Sequence, residues 1–116
     1  MKYLCLVYFE PQTLQRLSAS ERAALTRESL AYDDELRRSG HYIVSNALQP
    51  VSTATTVRVR NGGTFATDGP FAETKEHLGG FILVEANGLD AAIRMAAGIP
   101  LARLGSIEVR PVMELE

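Results

Sequence analysis

A chain of 116 residues, of which 46% are hydrophobic and 22% charged, is typical of one globular domain over residues 1–116 rather than of a disordered segment. Its 12 Lys and Arg residues are dispersed among 14 Asp and Glu residues, so the formal charge is −2 and no basic stripe is available to bind nucleic acid. No apolar run approaches the roughly 18 residues that a membrane-spanning helix needs, so no membrane association is predicted.

The lone cysteine, Cys5, indicates the compartment. One cysteine cannot form an intramolecular disulfide, and the first residues lack the length and the cleavage site of a signal peptide. We therefore predict a cytoplasmic protein in which Cys5 is a small, buried, hydrophobic residue in the middle of a strand.

The first two predicted elements are a strand and a long helix. Residues 3–9 are apolar on both alternating faces, so we expect an interior strand that is covered on two sides. Ser18 and Glu21 have the Ser-x-x-Glu pattern of a capping box and Gly40 is a typical terminator, so a helix is predicted over residues 18–39. The helix face toward the sheet carries Leu25, Ser29, Tyr32 and Leu36, with the Ser29 hydroxyl expected to bond back to the carbonyl of Leu25.

The second half of the chain alternates strands and turns. Extended structure is predicted over residues 41–48 and again over residues 55–60, where valines occupy one face and arginines the other. Asn61-Gly62-Gly63 predicts a hairpin whose return strand is residues 64–67. The remaining predicted elements are a strand over residues 80–86, a helix over residues 89–98 with Ile93 facing inward, and an edge strand over residues 107–110.

This order of elements predicts an α+β fold of the ferredoxin-like βαββαβ type, with an extra hairpin inserted between its halves. Two helices on one face of a sheet leave the other face of the first strand uncovered, and that face carries Leu4, Leu6 and Tyr8. A second copy that packs sheet to sheet would bury it. We therefore predict a homodimeric α/β barrel.

The most distinctive stretch is residues 68–81. Asp68-Gly69-Pro70 predicts a sharp reversal, because Pro70 fixes its own φ and biases Gly69 away from the α region. Four ionisable side chains come after this turn: Glu73, Lys75, Glu76 and His77. The glycine pair Gly79-Gly80 comes next and indicates a close backbone approach or a β-bulge.

These residues carry a family resemblance. Residues 68–76 and 78–81, with the segments 55–58 and 106–111, closely resemble the signature of the YCII-related family, in the branch named after its Asp-Gly-Pro-Phe motif. The resemblance covers essentially the whole chain and implies a ferredoxin-like fold that dimerises into a barrel. It also implies a link to extracytoplasmic-function sigma factors, beside whose genes some members are encoded.

The resemblance implies less about chemistry. In the YciI-like branch of the family, a His on the first helix and an Asp in an Asp-Pro-Tyr segment form a presumed catalytic dyad. Alignment through Leu36 and Gly40 places these two positions on Ser29 and Ile99, so both members of the dyad are absent here. We therefore look for a site in the Asp-Gly-Pro-Phe stretch.

Two catalytic candidates follow, Asp68 and His77. Asp68 is a candidate general base at a barrel mouth, although an Asp before Gly-Pro also commonly accepts amide hydrogen bonds that hold its own turn. His77 would act with Asp68 as a carboxylate–imidazole pair, the alternative being a solvated residue at the strand entry.

The predicted substrate-binding residues are Arg58, Tyr8, Tyr42, Glu73 and Lys75. Arg58 would anchor an anionic group by bidentate pairing. Tyr42 and His41 would border the cavity, and the charges after Pro70 would form a clamp or lid unless they are only a solvated face.

No cofactor or metal is predicted, because the two histidines match no ligand spacing and the glycines fit neither a P-loop nor a dinucleotide fingerprint. Three readings of function remain open from the sequence. The first is binding of a small anionic metabolite in the barrel cavity, with isomerase- or lyase-type proton transfer if the protein is an enzyme. The others are a non-catalytic sensing or partner-binding module linked to a sigma factor, and a motif that only builds the dimer.

Overall fold

The computed structural model describes residues 1–115, which form six strands and three helices. The strands are β1 (Lys2–Phe9), β2 (Tyr42–Ala47), β3 (Thr55–Arg60), β4 (Gly63–Asp68), β5 (His77–Glu85) and β6 (Ser106–Pro111). The helices are α1 (Pro11–Gln15), α2 (Ala19–Arg38) and α3 (Leu89–Ala97), with short 3-10 turns at Val51–Thr53 and Pro100–Arg103.

Four strands form one antiparallel sheet in the order β2-β5-β1-β6, and β3 pairs only with β4. With β3 and β4 set aside, this is the strand order of a ferredoxin-like fold, and the predicted α+β class and the inserted hairpin are confirmed. β6 lies at one edge of the sheet, as Arg110 and Pro111 indicated.

The start of α2 is set by the predicted capping box. The Glu21 amide donates to Ser18 Oγ at 3.1 Å, and the Ser18 amide donates to Glu21 Oε1 at 2.9 Å. These bonds lower the pKa of Glu21 below its ordinary value of 4.5. Gly40, with φ of +81°, ends the helix as predicted.

We expect Ser18→Ala to lower the free energy of unfolding by about 1 kcal/mol, because the Glu21 amide then loses its side-chain acceptor. Chemical denaturation of both proteins at neutral pH measures the difference. The pKa of Glu21 is depressed in the folded state. The stabilisation that the ionised Glu21 carboxylate gives to the cap should therefore be present above the ordinary pKa of 4.5 and fade as the pH falls through the lowered value. An unchanged denaturation midpoint in Ser18→Ala would show that the cap contributes nothing.

The core lies between the helices and one face of the sheet. In β1 this face carries Tyr3, Cys5 and Val7, opposite Val84, Ile82 and Gly80 of β5, and all six are buried. Burial raises the pKa of the Cys5 thiol to about 11, so Cys5 is the buried hydrophobic residue that was predicted.

The prediction that Ile93 faces inward is wrong. Ile93 is 49% exposed, and α3 buries Ala92 and Ala96 instead. Small side chains on that face let α3 approach the sheet closely, and the Tyr32 hydroxyl of α2 donates a hydrogen bond to the Met95 carbonyl at 2.6 Å. The alanines therefore form the packing face, and the larger isoleucine lies at its margin.

The second face of the sheet is uncovered within one chain. β1 is an interior strand as predicted, but only one of its faces is covered, since Leu4, Leu6 and Tyr8 are half-buried. The chain measures 48 × 46 × 19 Å, and its shortest dimension fits one sheet and one helix layer. None of the helices in residues 1–115 is long and apolar enough to cross a bilayer.

The β3–β4 hairpin projects from this body. The predicted hairpin is confirmed, and it turns through Asn61 and Gly62, both with positive φ, so that the return strand begins at Gly63, one residue earlier than predicted. The radius of gyration is 16.2 Å, against about 13 Å for a compact domain of this length. Large apolar side chains remain exposed on the hairpin and the loop after it, including Val57, Val59, Phe65 and Phe71.

Candidate functional site

A cleft of about 500 Å³ lies between α2 and the covered face of the sheet. Its walls are mostly apolar and include Val7, Leu25, Ile82 and Leu101. The polar residues in the lining are Thr26, Ser29, Tyr32, Asp33, Ser45 and Asn46, and among these described residues Asp33 is the one with a charged side chain. An apolar cleft with a few convergent polar groups is the usual form of a small-molecule site.

A chain of hydrogen bonds fixes the Asp33 carboxylate in this cleft. Ser45 Oγ donates to Asp33 Oδ2 at 3.1 Å, and Ser45 Oγ lies 2.8 Å from the Tyr42 hydroxyl. A serine hydroxyl has one proton, so Ser45 gives it to Asp33 and accepts from Tyr42. Within residues 1–115 the second oxygen of Asp33, Oδ1, receives no hydrogen bond.

The side chain of Arg37 contacts the face of the Tyr42 ring. Its guanidinium lies 4.2 Å from the centroid of the Tyr42 ring, and it pairs with Asp34 at 2.6 Å. Cation–π contact and ion pairing together keep the ring against α2. The hydroxyl of Tyr42 is thereby directed at Ser45.

A β-bulge brings Tyr42 and Ser45 to the same face. Tyr42 lies opposite Val84 and Ser45 opposite Ile82, with a shift of register between Tyr42 and Val44. Two residues three positions apart in a regular strand would point to opposite faces, and one extra residue restores them to one face. The bulge thus places both hydroxyls toward α2.

A second cavity of about 430 Å³ adjoins the first, and the two share Phe9, Leu14, Leu48 and Gly79 in their walls. His77 lines this second cavity at the start of β5. Its imidazole makes no hydrogen bond within residues 1–115, whereas the ring of His41 is held by the Glu85 carbonyl at 2.9 Å.

The glycine pair explains the position of His77. In the β1–β5 ladder Val7 lies opposite Gly80 and Tyr8 opposite Leu78, so Gly79 is the extra residue of a bulge. A Cβ at Gly79 would overlap the Phe9 ring, and one at Gly80 would lie 2.9 Å from the Asn46 carbonyl oxygen. Both a bulge and a close approach are therefore present, as the glycine pair predicted.

The remaining predicted site residues lie apart from one another. Asp68 and Arg58 are exposed on the hairpin, and Glu73 is exposed on the loop that follows it. No hydrogen bond joins Asp68 to His77 in the described part of the chain. Lys75 pairs with Glu10 at 3.4 Å, and Tyr8 faces the uncovered side of the sheet.

Hydrogen bonds other than those of Asp68 hold the Asp-Gly-Pro turn. The Gly69 amide donates to the Ala54 carbonyl at 2.8 Å, and Thr56 Oγ1 donates to the Gly69 carbonyl at 2.8 Å. Gly69 has φ of +100°, a conformation that favours glycine. No hydrogen bond to the Asp68 carboxylate occurs within residues 1–115.

The YCII-related domain matches residues 1–116, the whole chain. The chain belongs to the YCII-related family. It is 35% identical over 114 residues to an uncharacterised protein of Rhizobium meliloti (strain 1021), covering 97% of this chain and 92% of that protein. The family resemblance of the motif residues is thereby confirmed.

Among solved structures, the fold is similar to that of the 5-chloro-2-hydroxyhydroquinone dehydrochlorinase (TftG) from Burkholderia phenoliruptrix AC1100 in complex with 2,5-dihydroxybenzoquinone. The TM-score is 0.57 and the identity 19%, over 97% of this chain and 94% of that one. This likeness shows a shared fold.

The two positions on which the family resemblance aligned the absent dyad are both in the lining of this cleft. Ser29 and Ile99 both line it. The expected bond from Ser29 to the Leu25 carbonyl is not formed in the described residues, so that prediction is wrong. It is Thr26 Oγ1 that bonds back along α2, to the Arg22 carbonyl at 3.1 Å.

Asp33 and Ser45 are the site residues that the sequence analysis missed. Asp33 lies four residues after Ser29 and so neighbours it on the helix surface, which was a usable signal. Ser45 gave none, because the bulge that directs it depends on pairing with β5. The described residues contain no group of three or more His, Cys, Asp or Glu side chains that could hold a metal ion.

Proposed function

We propose that the protein binds a small, largely apolar molecule in the cleft under α2 and that Asp33 accepts a hydrogen bond or a proton from it. The observation that carries this proposal is the Asp33 carboxylate on a mostly apolar wall, with Oδ2 bonded to Ser45 and with no donor to Oδ1 among residues 1–115. A hydroxyl group on the ligand would supply the missing donor. The similar dehydrochlorinase structure holds a small ring molecule, 2,5-dihydroxybenzoquinone, which supports a ligand of this size.

The charge of the cleft favours a neutral group beside Asp33 over an anionic one. Asp33 is the one charged side chain in this wall, and a ligand anion next to it would be repelled. Arg58, the predicted anion anchor, is exposed on the hairpin. We therefore propose that the ligand's end at Asp33 is uncharged.

If the protein is an enzyme, the arrangement supports proton transfer of the isomerase or lyase type. Asp33 Oδ1 would take a proton from the substrate, and the Ser45 hydrogen bond to Oδ2 would hold the carboxylate in place while it does so. Tyr42 would keep Ser45 oriented toward Asp33. In the lyase case the electron pair left on the substrate expels a leaving group. In the isomerase case the proton returns to another atom.

The test uses p-cresol as a probe, with toluene as its analogue without a hydroxyl. Asp33→Asn is expected to weaken p-cresol binding by about tenfold, since a hydrogen bond to a charged group contributes about 1.5–3 kcal/mol. Toluene affinity should not change. Calorimetric or NMR titration measures both.

Glu35→Gln is the matched control, because Glu35 lies two residues along α2 and its carboxylate is exposed outside the cleft. It should leave p-cresol affinity unchanged. Asp68→Asn tests the rival site at the Asp-Gly-Pro turn with the same probe. Loss of binding in Asp68→Asn, with Asp33→Asn unaffected, would overturn the proposal in favour of the catalytic role predicted for Asp68.

We also propose that two copies pack through the uncovered sheet face to form the predicted homodimer. That face carries Leu4, Leu6 and Tyr8 of β1 and Phe81 and Leu83 of β5, all half-buried in one chain. A two-stranded hairpin is marginally stable alone, so the projecting β3–β4 hairpin also needs a surface to cover Phe65 and Phe71, which is 80% exposed. A second copy would cover both.

The sigma-factor association stays a prediction from the family resemblance. Co-purification of a sigma factor with the protein from its native host would support it.

A further inference from the structure

We propose that the ligand is an elongated molecule that spans both cavities, with a hydroxyl group at Asp33 and a carboxylate or similar acceptor group at His77. This inference rests on the proposed function, because it names the class of molecule that fills the same cleft.

The two cavities adjoin each other, and we call them together the trough. Phe9, Leu14, Leu48 and Gly79 belong to the walls of both, so the two cavities meet at these residues. The shared wall is apolar. A ligand that crosses it would carry an aliphatic or aromatic middle section, which such a wall favours.

The bulge at Gly79 directs His77 into the trough. Val7 and Phe9 share one face of β1, and His77 lies opposite Phe9. Without the extra residue, alternation from Ile82 would place His77 on the uncovered face of the sheet. Bulges commonly re-aim a side chain beside a functional site, and this one brings to the end of the trough an imidazole that makes no hydrogen bond within residues 1–115.

The two ends of the trough differ in chemistry. The cavity at Asp33 carries a carboxylate, which calls for a donor from the ligand. The polar residues of the other cavity are Gln15, Gln49, Ser52 and His77, which can all donate hydrogen bonds, and its lining contains no acid. An acceptor or anionic group on the ligand therefore fits the His77 end.

The pairing of the strands gives the distance between the two ends of the trough, and hence the length of the proposed ligand. Ser45 lies opposite Ile82, Ile82 opposite Cys5, and His77 opposite Phe9. The two ends are thus separated by four residues of β1, which corresponds to about 13 Å along the strand. A hexanoate with a para-hydroxyphenyl group on its last carbon has roughly this reach, and para-hexylphenol is its analogue without the carboxylate.

The experiment compares p-cresol, para-hexylphenol and the hydroxyphenyl hexanoate on the intact protein. We expect both long probes to bind more tightly than p-cresol. We expect His77→Leu to weaken the hexanoate by about tenfold and to leave p-cresol and para-hexylphenol unchanged, because only the carboxylate uses the imidazole. His77→Gln, which keeps an N–H donor, should restore part of the loss and shows that the effect is not one of folding.

The outcomes separate this inference from the proposed function. If p-cresol binds with dependence on Asp33 but the long probes gain nothing, or the hexanoate ignores His77→Leu, the elongated ligand is excluded while the cleft remains the site. If none of the three probes binds, both proposals are overturned.

Discussion

Replacing Leu6 by Lys is expected to convert the proposed dimer into a monomer of 12.7 kDa. Leu6 lies in β1, an interior strand, and faces the uncovered side of the sheet opposite Phe81 of β5. A lysine there would place an unpaired ammonium group between two apolar faces, where burial of an isolated charge costs several kcal/mol. In a single chain the lysine side chain would reach solvent from the uncovered face, so the fold itself should survive. Size-exclusion chromatography with light scattering gives the mass, and circular dichroism checks the fold.

Ile93→Lys is the matched control, because Ile93 is an exposed aliphatic residue on α3, away from that sheet face. It should leave the dimer intact. A wild-type protein of 12.7 kDa in solution, or a Leu6→Lys variant that keeps twice that mass, would contradict the packing of two copies through the sheet.

Gly105→Ala is expected to destabilise the fold by about 3 kcal/mol, the upper part of the usual range for overpacking. A Cβ at Gly105 would overlap the Tyr8 carbonyl oxygen and lie 3.0 Å from Phe9 Cβ. Both of these atoms belong to β1 and neither moves when a side chain changes its rotamer, so no rotamer change relieves the overlap. β6 would have to move away from the central strand.

Thermal denaturation measures the effect, which should be a fall in Tm of more than 10 °C or so for a domain of this size. Gly88→Ser serves as the control. Gly88 is the extended N-cap residue of α3, no atom lies within 4 Å of a Cβ built there, and serine is a good N-cap. Equal melting temperatures for Gly105→Ala and the wild type would show that β1 and β6 are not packed as closely as described.

Much of the fold could be predicted because its signals are local. A few neighbouring residues are enough to predict the backbone geometry at three places: the capping box at Ser18, the Gly40 terminator and the Asn61–Gly62 turn. The uncovered face could be predicted as well, since β1 is apolar on both sides. Ile93 was placed wrongly because hydrophobicity alone favours it over alanine, whereas the close packing of α3 favours the smaller side chain.

The site was less accessible to sequence analysis because two bulges decide it. The bulge in β2 turns Tyr42 and Ser45 to one face, and the bulge at Gly79 turns His77 to that same face. A strand pattern with a period of two places these residues differently, since a one-residue shift reverses every side chain beyond it. Gly79-Gly80 signalled that a bulge was present, but only the pairing with β1 shows which side chain it redirects.

Asp68 is exposed although its motif is prominent in the sequence. The turn is held by backbone and hydroxyl hydrogen bonds of Gly69, Thr56 and Ala54, and not by the Asp68 carboxylate. Asp33 lies in a helix with many other charged residues, and its one sequence signal was its spacing of four residues from Ser29. Its hydrogen bond to Ser45 in a mostly apolar cleft distinguishes it from the other acids of the helix.

An amide NMR titration of the protein with p-cresol tests directly whether the cleft under α2 is the ligand site. Binding there should give saturable shifts at Ser29 and Asp33 of α2, at Ser45 of β2 and at Gly80 of β5, all of which line the cleft. Shifts confined to the loop after Asp68 or to the uncovered sheet face, with α2 unchanged, would contradict it.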